Sequence, residues 1–227
     1  RASLAPSCRD TICRRVEGLT CQGFCPKARM DIEVEALLQE AVDTGAVDLS
    51  SRCLDEVPLA VCTCAQLVSL NLSCNSLQEL PPDIGQLKVL QHLDVGFNKL
   101  STLPVELGRL TRLTALNAAY NQLTSLPDQV GALVSLASLD LNDNALAALP
   151  SSLERATQLT HINLQYNRVA RLPAGLTQLA QLQELLLDGN PLPARVLEAA
   201  QELSAAPGSD VAVAARAELF RAVSALC

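Results

Sequence analysis

Leu136-Ala137-Ser138-Leu139-Asp140-Leu141-Asn142-Asp143-Asn144-Ala145-Leu146 reads L-x-x-L-x-L-x-x-N-x-L. The phrase returns with its asparagine at Asn75, Asn98, Asn121, Asn144, Asn167 and Asn190, 23 residues apart at every step. Equal intervals without insertion or deletion set a repeat architecture before any single element is weighed. Within the phrase, the x-Leu-x-Leu-x alternation gives a short strand with its leucines inward and the intervening residues outward. Between phrases each unit runs Leu-x-x-Leu-Pro and then apolar residues three apart, as in Leu77, Leu80-Pro81, Ile84, Leu87 and Leu90. That spacing after a proline fits a short helical or 3-10 turn on the opposite, convex side.

The asparagine has a physical reason to recur. Where strand bends into loop, backbone N–H and C=O groups are buried, and each one left without a partner costs about 1–3 kcal/mol. An amide offers both donors and an acceptor, so stacked Asn side chains can serve adjacent turns. Composition agrees with an aliphatic core built from repeated slots. Hydrophobic residues make up 49% of the chain, yet the aromatics are only Phe24, Phe97, Phe220, Tyr120 and Tyr166, with no Trp.

The ends depart from the pattern. Ile32, Leu38 and Val42, with Leu37 beside them, form an approximate helical stripe. Asp31 is placed as its N-cap and Gly45 as its stop, which gives a capping helix over 31–45. Val47-Asp48-Leu49-Ser50-Ser51-Arg52-Cys53-Leu54 keeps the leucine slots of a first repeat but carries Arg52 in the asparagine slot. Arginine accepts no hydrogen bond, so the ladder is expected to open to solvent there. Pro191 and Pro193 then break the period, residues 194–204 read as a helix, and Ser209 or Asp210 caps a last one. The resulting division is a basic arm over 1–30, a capping helix over 31–45, about seven repeats over 46–193 and a helical cap over 194–227.

Together these motifs resemble the leucine-rich repeat superfamily, in particular its 23-residue Leu-Pro class. That class includes the Ras-suppressor protein, Scribble-type scaffolds and the plant intracellular Ras-group-related proteins. The phrases "TGAVDLSSRCLDEVP" and "LLLDGNPL" are similar to entry and exit phrases of intracellular members. The resemblance spans residues 31–207 and implies an α/β solenoid: a right-handed horseshoe with a concave parallel β-sheet, convex short helical or 3-10 turns, and helical caps at both ends. It also implies no enzymatic activity and an intracellular, cytoplasmic location. Organelle import and an axonemal or cytoskeletal assembly are the alternatives, since the chain opens on Arg1, not Met, with a basic segment like a presequence remnant.

Function is sought on the concave side. The central outward slot reads Asp48, Asn71, Asp94, Asn117, Asp140 and Asn163, and then Leu186. His92, Ser138, His161 and Glu184 flank it on one side and Ser73, Asn142, Gln165 and Asp188 on the other, with no Lys or Arg in these rows. The slot before the ladder asparagine holds Phe97, Tyr120, Asp143 and Tyr166, which places three of five aromatics at one repeat position. Rings over an acidic, amide-rich floor predict a hot-spot stripe for a protein partner with a basic or donor-rich segment.

Other functions find little support. Residues 1–30 carry Arg1, Arg9, Arg14, Arg15, Lys27 and Arg29 against Asp10 and Glu17, a net of +4, so the chain total of −7 leaves −11 for the remainder. An acidic body argues against binding nucleic acid, and no apolar run reaches the roughly 20 residues of a membrane span. His92 and His161 lie three repeats apart, about 15 Å at the strand spacing, too far to share a proton or metal. No phosphate loop, nucleophile elbow or zinc-protease motif is present, and no cofactor is implied. The leading reading is a non-catalytic scaffold or adaptor. An architectural subunit of a large assembly, held by its arm and convex surface, is the second, and the recognition half of a separate enzyme the third.

The arm holds Cys8, Cys13, Cys21 and Cys25. A nested pair, Cys8–Cys25 with Cys13–Cys21, would contribute roughly 3 kcal/mol through chain entropy. A reduced segment and a zinc site are the alternatives, because four cysteines permit three connectivities. Elsewhere Cys64 falls on a core position and Cys74 on the exposed rim of a strand. Alkylation followed by mass spectrometry separates the readings: nested disulfides predict labelling of these four only after reduction, and a reduced segment predicts labelling without it.

Overall fold

The computed structural model describes residues 43–205 throughout, together with 38, 39, 41 and 217–223. Seven three-residue strands form one parallel sheet in chain order: β1 (Ala46–Asp48), β2 (Ser69–Asn71), β3 (His92–Asp94), β4 (Ala115–Asn117), β5 (Ser138–Asp140), β6 (His161–Asn163) and β7 (Glu184–Leu186). Each strand pairs with the next at an offset of one repeat, so Leu70 faces Leu93 and Leu93 faces Leu116. Equivalent slots therefore stack as straight rows across the sheet. The pairing continues past the strands: the Leu72 N–H donates to the Asp94 carbonyl at 2.7 Å and the Cys74 N–H to the Gly96 carbonyl at 2.9 Å.

Proline sets the opposite wall. Pro81, Pro104, Pro127, Pro150 and Pro173 hold φ between −66° and −68° and lead into the 3-10 turns Pro82–Gln86, Val105–Arg109, Asp128–Ala132, Ser151–Arg155 and Ala174–Gln178. The ring fixes that φ and lacks an N–H that a turn's start would leave unused. In the first repeat the same place is taken by a short α-helix, α1 (Leu59–Cys62), after Pro58. Leu116, Leu139 and Ile162 from the sheet and Leu107, Val130 and Leu153 from the turns meet between the walls, all almost fully buried. This is the α/β horseshoe that the family resemblance implies.

The asparagines close the third side. Asn98 Oδ1 accepts the Leu77 N–H at 3.0 Å, while its Nδ2 donates to the Leu72 carbonyl of the preceding turn at 3.0 Å and to the Val95 carbonyl of its own at 3.0 Å. The same geometry recurs from Asn75 to Asn190. At the degenerate end, Asn75 Oδ1 takes both the Arg52 and Leu54 N–H groups at 3.0 Å. The expected opening to solvent is thus partly closed from the next turn, and Arg52 is half-buried.

Adjacent 3-10 turns touch so closely that one side of each contact must be glycine. A Cβ on Gly85 would sit 2.6 Å from the Glu106 carbonyl oxygen, and one on Gly108 would sit 2.5 Å from that of Gln129. Gly131 faces Ser152 in the same way. In the next contact Glu154 occupies the glycine slot, and the residue it faces is Gly175. The small residue has changed sides while the close approach is kept.

Both ends are covered. Helix α2 (Ala194–Ala205) buries Val196, Ala199, Ala200 and Leu203, and its Ser204 Oγ accepts the Leu185 N–H at 3.1 Å on the outer edge of β7. This blunts an edge that could otherwise pair with another chain. At the other end Ala41 is buried in a helical segment, and the Gly45 N–H donates to its carbonyl at 2.8 Å. Residues 217–223 are helical, with Leu219 and Val223 in the core. The Asp31 cap, the arm with Cys8, Cys13, Cys21 and Cys25, and the start of the last helix lie outside the described residues.

Among the other cysteines, Cys64 packs half-buried against the core, and Cys74 is half-buried, not exposed on the rim. Burial pushes the Cys62 thiol up to about 11, with Asp83 and Cys64 adding to the shift.

Three outcomes follow from this packing. Asn98→Ala strands the Leu77 N–H, while the Leu72 and Val95 carbonyls keep the amides of Asn75 and Asn121, so urea unfolding should register about 1–3 kcal/mol for the one group left dry. Gly175→Ser should destabilise by roughly 1–3 kcal/mol through overpacking, and Glu154→Gly in the same chain should recover most of it in a double-mutant cycle. A thiol held protonated by the fold contributes stability that is intact below its unfolded value of 9.0 and lost as pH rises from there towards 11. Cys62→Ala should flatten that alkaline loss in thermal melts.

Candidate functional site

Register assembles the concave rows without further help. Asp48, Asn71, Asp94, Asn117, Asp140 and Asn163 occupy the same place on six consecutive strands. Each also has a local task. Asn71 Oδ1 accepts the Ser73 N–H at 3.0 Å, Asp94 Oδ1 that of Gly96 at 2.9 Å, Asn117 Oδ1 that of Ala119 at 3.0 Å and Asp140 Oδ1 that of Asn142 at 3.0 Å. Asp48 and Asn163 do the same for Ser50 and Gln165. One oxygen of each side chain thus satisfies an N–H where the strand ends, an Asx-type turn that Asp and Asn make equally well. The row is part scaffold, which its sequence pattern alone did not reveal. What remains to face a ligand is the second carboxylate oxygen of each Asp and the amide NH2 of each Asn, in alternation.

The flanking rows differ along the sheet. Over β2–β4 they hold Ser69, His92 and Ala115 on one side and Ser73, Gly96 and Ala119 on the other, and the face has there a hollow of about 320 Å³ lined by Ser69, Asn71, His92, Asp94, Ala115 and Asn117. A methyl on Gly96 would lie 3.2 Å from both Asn117 Nδ2 and Asp94 Oδ1, so the glycine sits directly against these two floor side chains. Over β6–β7 the flanks are bulky and already engaged. Glu184 Oε2 is 3.9 Å from His161 Nε2, His161 Nδ1 is 2.7 Å from Thr160 Oγ1, and Asp188 accepts from Gln165 and Gln201 at 2.9 Å each. The small flanking residues are the signal that sequence reasoning passed over. A second hollow, about 410 Å³ between the Asp128–Ala132 and Ser151–Arg155 turns, is lined chiefly by polar side chains and lacks an apolar anchor.

Phe97, Tyr120, Asp143 and Tyr166 stand along the rim beside the floor. Their backbones, with Cys74 before them, share left-handed φ values of 51° to 57°, and Gly189 ends the row at 77°. For a side chain bulkier than glycine this conformation costs roughly 1–2 kcal/mol, held here by ladder hydrogen bonds such as Tyr120 N–H to the Asn142 carbonyl at 2.8 Å. Phe97 and Tyr120 stack with ring centroids 4.2 Å apart and planes 10° from parallel. They remain 40% and 43% exposed, and Tyr166, beyond Asp143, is 59% exposed. The structure thus brings Phe97 and Tyr120 together and leaves Tyr166 apart.

His92 and His161 stand on β3 and β6, three strands apart. No group of three His, Cys, Asp or Glu is placed to hold a metal ion, and no helix among the described residues is long and apolar enough to cross a membrane.

Comparison with known proteins matches this architecture. A family model for the leucine-rich repeat fits residues 65–123 and 134–192, more than half of the chain. No curated protein sequence matches the chain closely enough to count as a relative. Among solved structures, a leucine-rich repeat protein of Leptospira interrogans is 28% identical with a TM-score of 0.52, covering 70% of this chain and 52% of its own. The Toll receptor of Drosophila, solved in complex with Spatzle, is 28% identical with a TM-score of 0.58 over 64% of this chain and 20% of its own. A plant peptide hormone receptor, solved with the peptide RGF2, is 27% identical with a TM-score of 0.53 over 60% of this chain and 26% of its own. This chain therefore spans about half, or much less, of the solved structures it matches. With its ladder, its stacked strands and its family match in agreement, the chain belongs to the leucine-rich repeat family.

Proposed function

We propose that the protein is a non-catalytic scaffold that captures a protein segment along its concave face, centred on β2–β4. One observation carries the reading. The hollow floored by Asn71, Asp94 and Asn117 and the exposed Phe97–Tyr120 stack belong to the same repeats, with Phe97 three residues after Asp94 and Tyr120 three after Asn117. Rigid aromatic anchors beside a polar floor are the composition of an interface hot spot, and concave surfaces are where solenoids present their binding area. The floor carries Asp48, Asp94 and Asp140 and no Lys or Arg, so complementarity favours a basic or donor-rich segment. The Toll and plant receptor structures, each solved with a bound protein or peptide, support a binding role of this general kind. The repeat class that the sequence resembles supports an intracellular adaptor.

A second reading has its own observation. Leu59, Pro82 and Val105 share one slot on three successive convex turns, and Leu59 and Val105 are 61% and 51% exposed. An apolar row there suits a subunit held from its convex side within a larger assembly.

The test compares chains that co-purify with the wild type and with two variants. Asp94→Asn/Asp140→Asn/Tyr120→Ala removes charge and one ring but keeps the Oδ1 caps, so stability should change little at the aspartates. Partner capture should fall by roughly tenfold or more, the loss of one good contact, and weaken with added salt. Leu59→Ser/Val105→Ser should leave it intact. Capture that survives the first variant and fails with the second contradicts the concave reading in favour of the convex one.

A further inference from the structure

We propose that the gap above Asp143, between Tyr120 and Tyr166, is a guanidinium slot that takes an arginine side chain of the bound segment. The inference rests on the concave-face reading and supplies the specificity that reading lacks.

The rim row sets the geometry. Phe97 and Tyr120 place one ring per repeat, nearly parallel and 4.2 Å apart. The next repeat interrupts the stack with Asp143, and the one after resumes it with Tyr166. Tyr166 leans away from the interruption: a Cβ on Gly189 would come within 2.7 Å of its Cδ1. Tyr166 is the most exposed of the three rim rings. Two strand spacings, about 10 Å in all, separate the Tyr120 and Tyr166 slots. At its midpoint a flat cation lies about 5 Å from either slot, within the roughly 6 Å over which a ring face attracts a cation.

The floor of the gap decides what kind of flat group. Asp143 is half-buried, and among the described residues no side-chain donor meets its carboxylate. A neutral ring would stack but leave that charge covered and unpaired, which is costly. An ammonium would pair with the charge but, as a compact and strongly hydrated point charge, offers neither a flat face to a ring nor a fork to the carboxylate. A guanidinium does both: its faces lie against tyrosine rings, and its edge donates in a fork to the carboxylate. The backbone adds a reason to look here, since bulky rings are held at left-handed φ where glycine, as at Gly189, would be unstrained.

The test uses the whole chain, whose only tyrosines are Tyr120 and Tyr166, so their ring signals in NMR report the slot directly. N-acetylarginine amide and N-acetyllysine amide are titrated in turn at constant ionic strength. The arginine probe should shift both tyrosines saturably, and the lysine probe should bind roughly tenfold more weakly or worse. Asp143→Asn, which keeps the shape and tolerates the left-handed backbone, should weaken the arginine response by roughly tenfold, as loss of a charged hydrogen bond implies. Asp94→Asn should leave it unchanged. No saturable shift, an equal response to lysine, or an undiminished response in Asp143→Asn overturns the slot. Loss with Asp94→Asn alone overturns the slot but leaves the concave reading standing. Partner capture that ignores the concave triple variant overturns the reading beneath it even where the probe still binds.

Discussion

A three-residue strand cannot stand alone, and every feature of this molecule follows from making each turn's backbone finish its hydrogen bonds on the next turn. Strand pairing does part of this, and the asparagine column does the rest, each amide joining its own turn to the one before it. Because an N–H or C=O left dry costs about as much as a hydrogen bond is worth, the column tolerates no drift in spacing. The 23-residue period is the visible result. Once the period is fixed, so are the rows: a residue type repeated in the sequence becomes a line on the surface.

That constraint explains why so much of the fold was legible. Strand, turn and ladder positions could be assigned because each is a slot with one physical demand, met by Leu, Pro or Asn. The exchange of sides between Glu154 and Gly175 was not legible. It depends on how closely two 3-10 turns approach, a distance that periodicity does not encode. Closure at Arg52 was hidden for a similar reason, since the partner that serves its N–H is Asn75, one turn away.

The candidate site was legible as rows and not as a place. Alternation of Asp and Asn along one slot suggested a ligand-facing floor, whereas half of each side chain is spent on the N–H two residues ahead. That interchange of Asp and Asn is what a local cap would permit, so the pattern carries less functional information than it first offers. The hollow over β2–β4 is lined, beside His92, by Ser69 and Ala115, residues too small to attract notice. The aromatic stripe divides into a stacked pair and a separate ring because Asp143 intervenes.

Hydroxyl-radical footprinting of the full chain, alone and with its co-purified partner, tests the central claim most directly. The exposed rings of Phe97, Tyr120 and Tyr166 report the concave rim, and Leu59, Val105 and Val134 are the large exposed apolar side chains elsewhere among the described residues. The account predicts protection of the three rings with the aliphatic side chains unchanged. Protection of Leu59 and Val105 with the rings still reactive would contradict it.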